Sequence, residues 1–282
     1  MQLGLTGFPL THSLSPRIHQ AALDCCALSG SYTLYPVEPQ DTQALQALLA
    51  RLRAGEIDGL NVTIPHKQAV LPLVDELTPA AQAIGAVNTV YVNEGRLIGA
   101  NTDAPGFLSD LKCFFTQSNL QPGRDLQVLV LGAGGAARAV VYASLKEGWQ
   151  VLLAARRAEQ ALALAQDFYG IGLPVKAIAL TAQTLAPNLE ELALIVNTTP
   201  LGMAPQVERC PWPDELAFPS RTAVYDLVYQ PRETLLMRRA RAAGLPAESG
   251  LGMLLEQAAL SFELWTGRKV PLDVLRNALE EA

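Results

Sequence analysis

Along most of the chain, short apolar runs alternate with longer stretches whose apolar positions recur every third or fourth residue. The first spacing suits a buried strand and the second a helix with one buried face, so the pattern predicts parallel α/β units. Gln2–Gly7 reads as a strand and Ser31–Pro36 as the next. Between them Ser15 stands before Pro16, a capping hydroxyl ahead of a proline in the first helical turn, which predicts a helix running to about Leu28. Asp41 caps another helix, in which Leu45, Leu48, Leu49 and Leu52 share a face. Gly59–Thr63 is a third strand, and Thr78-Pro79 repeats the capping signature. Ala86–Val92 and Arg96–Ile98 form a hairpin about Asn93-Glu94-Gly95.

The second half opens with a helix over Phe107–Phe114 and a polar linker from Thr116 to Asp125. Leu126–Leu131 is then an almost purely apolar strand, followed at once by Gly132-Ala133-Gly134-Gly135-Ala136-Ala137 and a helix from about Ala136 to Glu147, stopped by Gly148. Further strands are expected at Gln150–Ala155, Leu192–Asn197 and Thr222–Val228. A closing helix spans Leu254 to Trp265, with Leu254, Leu255, Ala258, Leu260 and Leu264 as core and Gln257 as its functional candidate. At roughly 150 residues per domain, 282 residues argue for two domains.

Composition narrows the classes. Half of the residues are hydrophobic and 17% charged, enough apolar surface to offset chain ordering. Lys and Arg number 21 against 27 Asp and Glu, a net charge of −6 without a basic run, so nucleic acid is not an expected partner. No apolar stretch reaches the 18 or so residues of a membrane span, and Met1–Leu10 lacks a basic leader, which together predict a soluble, cytoplasmic protein. Cys25, Cys26, Cys113 and Cys210 have no metal spacing and read as reduced thiols. His12, His19 and His66 are scattered, so no metal site is expected.

Two groups of residues carry candidate chemistry. A glycine-rich turn between a buried strand and a helix lets main-chain N–H groups approach a pyrophosphate, and Gly132-x-Gly134-x-x-Ala137 has that form and context. The next strand ends in Ala154-Ala155-Arg156-Arg157, with guanidinium groups where an NAD site wants a carboxylate, which favours the 2′-phosphate of NADP(H). The bland alternative is a pair of solvated arginines at a helix start.

The first half supplies the other group. Ser13 and Ser15 place hydroxyls beside a helix N-terminus, suited to a small carboxylate, although Ser15 also serves as a cap. Strand alternation puts Asn61 and Thr63 on one face, with Lys67 just beyond. Such a lysine is either a snorkelling surface residue or, near a cleft, a proton donor. Asn88 and Asn101-Thr102-Asp103 add an amide and a carboxylate at later element ends.

Taken in order, Ser13-x-Ser15, Asn61 to Lys67, Gly85-Ala86-Val87-Asn88-Thr89, Asn101-Thr102-Asp103, Gly132 to Ala137, and Gly250-Leu251-Gly252-Met253 with Gln257 closely resemble the shikimate/quinate dehydrogenase family over nearly the whole chain. The resemblance implies an α/β protein of two domains with a cleft between them. Residues 1–103 and 251–282 would bind substrate, and 104–250 would form a Rossmann-like NADP domain. It implies reversible, NADP-dependent reduction of 3-dehydroshikimate to shikimate, with Lys67 and Asp103 catalytic. Substrate would meet Ser13, Ser15, Asn61, Thr63, Lys67, Asn88, Asp103, Tyr229 and Gln257. Cofactor would meet Gly132, Ala133, Gly134, Gly135, Ala136, Arg156, Arg157, Leu227 and Gly250. The family's Asn-Arg-Thr stands here as Ala155-Arg156-Arg157, and its later basic position as Gln160. Rival readings are a quinate enzyme or one using NAD, and a non-catalytic NADP-binding regulator. A tetrahydrofolate-type dehydrogenase suits the polar substrate constellation less well. The oligomeric state stays open, a homodimer being one outcome.

Overall fold

A computed structural model describes residues 1–120 and 126–280; the last part of the expected linker, 121–125, lies outside the described residues. The chain divides into two compact units, Met1–Gly106 with Leu254–Ala282, and Phe107–Met253.

In the first unit the elements run β1 (Gln2–Gly7), α1 (Ser15–Cys25), β2 (Ser31–Pro36), α2 (Thr42–Arg53), β3 (Gly59–Val62), β4 (Glu76–Leu77), α3 (Pro79–Ile84), β5 (Thr89–Asn93) and β6 (Arg96–Ala100), ending in the start of α4 (Asp103–Gln117). Its sheet has the order β2-β1-β3-β5-β6-β4. β1 pairs in parallel with β2 and β3, as the alternating pattern predicts, whereas β5 lies antiparallel to both β3 and β6. The hairpin causes the reversal. Asn93 pairs with Arg96 across Glu94 (φ 50°) and Gly95 (φ 77°), the left-handed pair that a tight two-residue turn between twisted strands requires. Leu48, Leu49 and Leu52 of α2 are buried against Leu60, Val62, Val87, Val90 and Leu97.

Capping follows the sequence at two helices and departs from it at one. Asp41 and Thr78 accept the N–H groups of Ala44 and Ala81 as expected. Ser15, however, is not the cap of α1. Leu14 occupies that position, Ser15 is already helical, and the helix stops at Cys25 rather than Leu28. The cause is local: Ser13 Oγ takes the Ser15 N–H at 3.3 Å, so the turn closes around the earlier serine.

In the second unit come β7 (Gln127–Leu131), α5 (Gly135–Lys146), β8 (Gln150–Ala155), α6 (Ala158–Gly170), β9 (Lys176–Ala179), α7 (Ala182–Leu185), β10 (Leu192–Asn197), β11 (Ala223–Asp226), α8 (Leu235–Ala242) and β12 (Ala247–Ser249). They form a sheet of order β12-β11-β10-β7-β8-β9, parallel throughout. β7 lies centrally and β10 crosses to its far side, so the strand order reverses beside the glycine turn, where open parallel sheets bind ligands. The chain returns to the first unit within α9 (Leu251–Thr266) and ends in α10 (Leu272–Glu280). Among the described residues, no helix is long and apolar enough to cross a membrane.

Candidate active site

In the first unit, the chain leaves β3 after Val62 and is pinned at each step on the way to Lys67. Thr63 N–H donates to the Thr6 carbonyl at 2.9 Å, and the buried His66 ring donates through Nε2 to the Val37 carbonyl at 2.7 Å. The Lys67 carbonyl accepts from Val87 N–H at 2.8 Å, holding this segment beside the start of β5. Asp103 arrives from the opposite side as the first residue of α4, where a carboxylate meets the positive helix end. Asn101 steadies that end by accepting from Ala104 N–H at 3.2 Å and donating to the Ala86 carbonyl at 2.9 Å.

The two segments meet at a charged pair. Lys67 Nζ donates to Asp103 Oδ2 at 2.5 Å, with side-chain exposures of 13% and 5%, so both groups are shielded and the lysine keeps one open side. Asn88 Nδ2 donates to the other carboxylate oxygen at 2.8 Å. The Asn88 amide cannot be reversed, because its Oδ1 accepts from Thr102 N–H at 2.7 Å. Gln257 reaches the group from α9, accepting from Asn88 at 3.3 Å and donating to the Leu254 carbonyl at 2.7 Å. That approach depends on Gly106 of α4, since a Cβ there would stand 2.9 Å from Gln257 N.

Lys67, Asn88, Asp103 and Gln257 are thus brought together as the sequence predicts. Asn61 stands directly behind them, its Oδ1 accepting from the Tyr32 hydroxyl at 2.7 Å and its Nδ2 facing the Asn88 carbonyl, Thr89 Oγ1 and Ser261 Oγ at 3.1–3.3 Å. Thr63 is half-buried against Gly7. Ser13 and Ser15 sit together at the start of α1, linked inward by a Ser15–Tyr32 hydroxyl contact. Burial pushes the Tyr32 phenol well above its ordinary range, so it stays a neutral donor. Tyr229 belongs to the second unit, half-buried, its phenol also pushed up by burial. Sequence reading passed over Tyr32 and Ser261 and gave no role to Thr89 and Thr102, although both lie inside runs already singled out.

The second unit builds a different site from its main chain. Gly132 has φ +112°, and a Cβ on it would lie 2.6 Å from Thr198 Oγ1, so glycine is required. Gly134 is exposed, with open space where its Cβ would be, and caps α5 without a side chain, so the first-turn N–H groups of a twelve-residue helix have no side-chain cap. Ala133, Gly135 and Ala136 complete this half-exposed cradle. Gly132 N–H donates to the Ala154 carbonyl at 2.8 Å, which sets the end of β8, and therefore exposed Arg156 and Arg157, beside the turn. An uncapped helix start, room above glycine and a guanidinium pair match a phosphorylated dinucleotide. Leu227 and Gly250 also adjoin: a Cβ on Gly250 would collide with the Leu227 carbonyl.

Nearby, Asp226 is fully buried at the end of β11. It accepts from Asn197 Nδ2 at 2.8 Å, Thr234 Oγ1 at 2.6 Å and Val228 N–H at 3.1 Å, all neutral donors. Burial raises its pKa from 3.8 to about 6 against the opposing pull of these bonds. Among the described residues, no cluster of side chains could hold a metal ion.

The chain is similar to known proteins. Residues 5–90 match the family model of the shikimate dehydrogenase substrate binding domain, and residues 250–280 that of the shikimate 5′-dehydrogenase C-terminal domain. The NADP(+) shikimate dehydrogenase of Salinibacter ruber is 44% identical, covering 98% of this chain and 95% of its own. The shikimate 5-dehydrogenase of Thermus thermophilus, solved with NADP(H) and shikimate, superposes with a TM-score of 0.84 at 39% identity, over 99% of this chain and 98% of its own. A quinate dehydrogenase of Corynebacterium glutamicum, solved with NAD, gives a TM-score of 0.85 at 32% identity, over 100% and 99%.

Proposed function

The chain belongs to the shikimate dehydrogenase family, and on that premise we propose that it catalyses the reversible, NADP-dependent reduction of 3-dehydroshikimate to shikimate, a step toward the aromatic amino acids. The observation that carries this reading is the Lys67–Asp103 contact of 2.5 Å, with Asn88 on the second carboxylate oxygen.

When bound, NADPH supplies a hydride and NADP+ takes one in the reverse direction. The residues do the rest. As the C3 carbonyl carbon gains hydride, its oxygen takes a proton from Lys67 Nζ, the group with a side left open. Asp103 orients that ammonium and accepts from a neighbouring ring hydroxyl. Ser13 and Ser15, at the positive start of α1, hold the substrate carboxylate, joined by Tyr229. Asn61, Thr63, Asn88 and Gln257 serve the ring hydroxyls, for which amides and hydroxyls offer both donors and acceptors. In the second unit, the main chain from Gly132 to Ala136 would hold the pyrophosphate, Arg156 and Arg157 the 2′-phosphate, and Leu227 and Gly250 would approach the nicotinamide. The functional division is residues 1–103 with 251–282 for the acid and 104–250 for the dinucleotide. Four free cysteines suit a cytoplasmic enzyme. Cell fractionation tests that location, and light scattering a homodimeric assembly.

The deciding experiment follows NADPH absorbance with 3-dehydroshikimate, then compares kcat/KM for shikimate and quinate with NADP+ and NAD+. Shikimate with NADP+ is expected to lead. A lead for quinate with NAD+, the reading favoured by likeness to the quinate dehydrogenase, would replace it. Absence of turnover on both acids would leave a non-catalytic binding protein.

A further inference from the structure

We infer that Ser261 of α9 is a positioning residue that fixes the Asn88 amide, and through it Asp103, for the proton transfer at Lys67. The inference rests on the reading of Lys67 and Asp103 given above.

Ser261 is completely buried and carries one of the few hydroxyls on an otherwise apolar stretch of helix. Its Oγ meets four partners from distant parts of the chain and its own helix: Asn61 Nδ2 at 3.1 Å, Thr89 Oγ1 at 2.8 Å, Thr102 Oγ1 at 3.0 Å and the Gln257 carbonyl at 2.9 Å. A hydroxyl has one proton and two lone pairs: with its proton on the Gln257 carbonyl, Ser261 Oγ accepts from Asn61 Nδ2 and Thr102 Oγ1, while Thr89 spends its own proton on Asn88 Oδ1. Thr102 Oγ1 accepts from Asn88 Nδ2 at 2.8 Å and therefore passes its own proton to Ser261. The protons run in one direction, from Asn88 to Thr102 to Ser261 to the main chain of Gln257.

Thr89 braces the other end of the same amide, donating to Asn88 Oδ1 at 3.1 Å while Asn61 donates to Thr89 Oγ1 at 3.3 Å. Asn61 is itself oriented by the Tyr32 hydroxyl, whose ring stacks on His19 at 4.4 Å. Ser261 is the atom at which the Asn61 and Thr102 branches join. Without it, Thr102 loses its acceptor and Asn61 a partner in a dry site, where neither is replaced by solvent at small cost. Thr102 is then free to turn its proton elsewhere, and the second anchor of the Asn88 Nδ2 group, the one beside Asp103 Oδ1, is lost. Gln257, one helical turn before Ser261, loosens as well.

The test is a double-mutant cycle of Ser261→Ala and Thr102→Val in the full-length enzyme. Each change should lower kcat about tenfold with the KM for NADP+ unchanged and the alkaline and acid limbs of the kcat–pH profile displaced. The double variant should fall no further than the worse single, since both break one chain. Should Ser261→Ala not fold, Thr102→Val with a displaced pH profile carries the same inference, and a wild-type profile overturns it. A kcat within about twofold of wild type in a folded Ser261→Ala, or additive losses, also overturns it. Side-chain amide exchange of Asn88, read by NMR, separates this inference from the assignment of substrate: faster exchange in Ser261→Ala supports it and equal exchange overturns it, even if wild type turns over neither acid.

Discussion

Two aspartates, one in each unit, show how much a partner decides. Asp103 and Asp226 are almost equally hidden from solvent, each terminates a strand or opens a helix, and each accepts a short bond from an asparagine. Asp103 faces an ammonium at 2.5 Å, whereas Asp226 faces only an amide, a hydroxyl and a main-chain N–H. Asp103 is thus paired with an opposite charge, whereas the donors around Asp226 are all neutral. For Asp226 the outcome is a carboxyl raised to about 6, a joint between β10, β11 and α8 rather than a reagent. Burial alone therefore does not distinguish the two carboxyls; the nature of the nearest donor does.

The largest expected effect separates the pair by function. Lys67→Ala should lower turnover by about 10³-fold and Asp103→Asn by somewhat less, in the range of lost acid–base catalysis, with NADPH binding by fluorescence titration unchanged. Asp226→Asn should leave turnover within a few-fold, and an equal loss there would erase the distinction.

The next effect concerns pH and stability. The folded pKa of Asp226 lies above its unfolded value, so the folded state binds the proton more tightly. Its contribution is complete below about pH 4 and lost as pH rises through about 6. The shift corresponds to about 3 kcal/mol. Denaturant midpoints of wild type should decline relative to Asp226→Asn across that window, and parallel curves would show the carboxyl to be unperturbed. The smallest effect probes the other unit's charge pairing. Arg156→Ala should weaken NADPH about tenfold and NADH hardly at all, the worth of a charge-assisted bond to phosphate. Equal losses would mean that the guanidinium does not read the 2′-phosphate.

Legibility in the sequence divides along similar lines. The glycine turn, the caps at Asp41 and Thr78 and the strands β1, β2, β8 and β10 are local affairs, written in neighbouring residues, and all could be read directly. Ser15 misled because Ser13 offers the same chemistry two residues earlier. β4 is two residues long, and β9 pairs a half-exposed run, too short or too mixed to leave a period. The joining of the hydroxyls behind Asn88 could not be read, although Thr89 and Thr102 lie inside runs singled out for other residues. Ser261 joins Asn61 across 200 residues, and a bond of that span leaves no spacing for periodicity to register.

The tight turn at Glu94-Gly95 has a reach well beyond its own two residues. By pairing Thr89 with Ala100, it delivers Asn88 and the Asn101–Asp103 corner to one end of the sheet. A single inserted residue there would slip the ladder by one step and turn alternate side chains to the opposite face. The Lys67–Asp103 pair would be pulled out of alignment by an edit at the far tip of the ribbon, so a loop outside the candidate site sets the register on which its geometry rests.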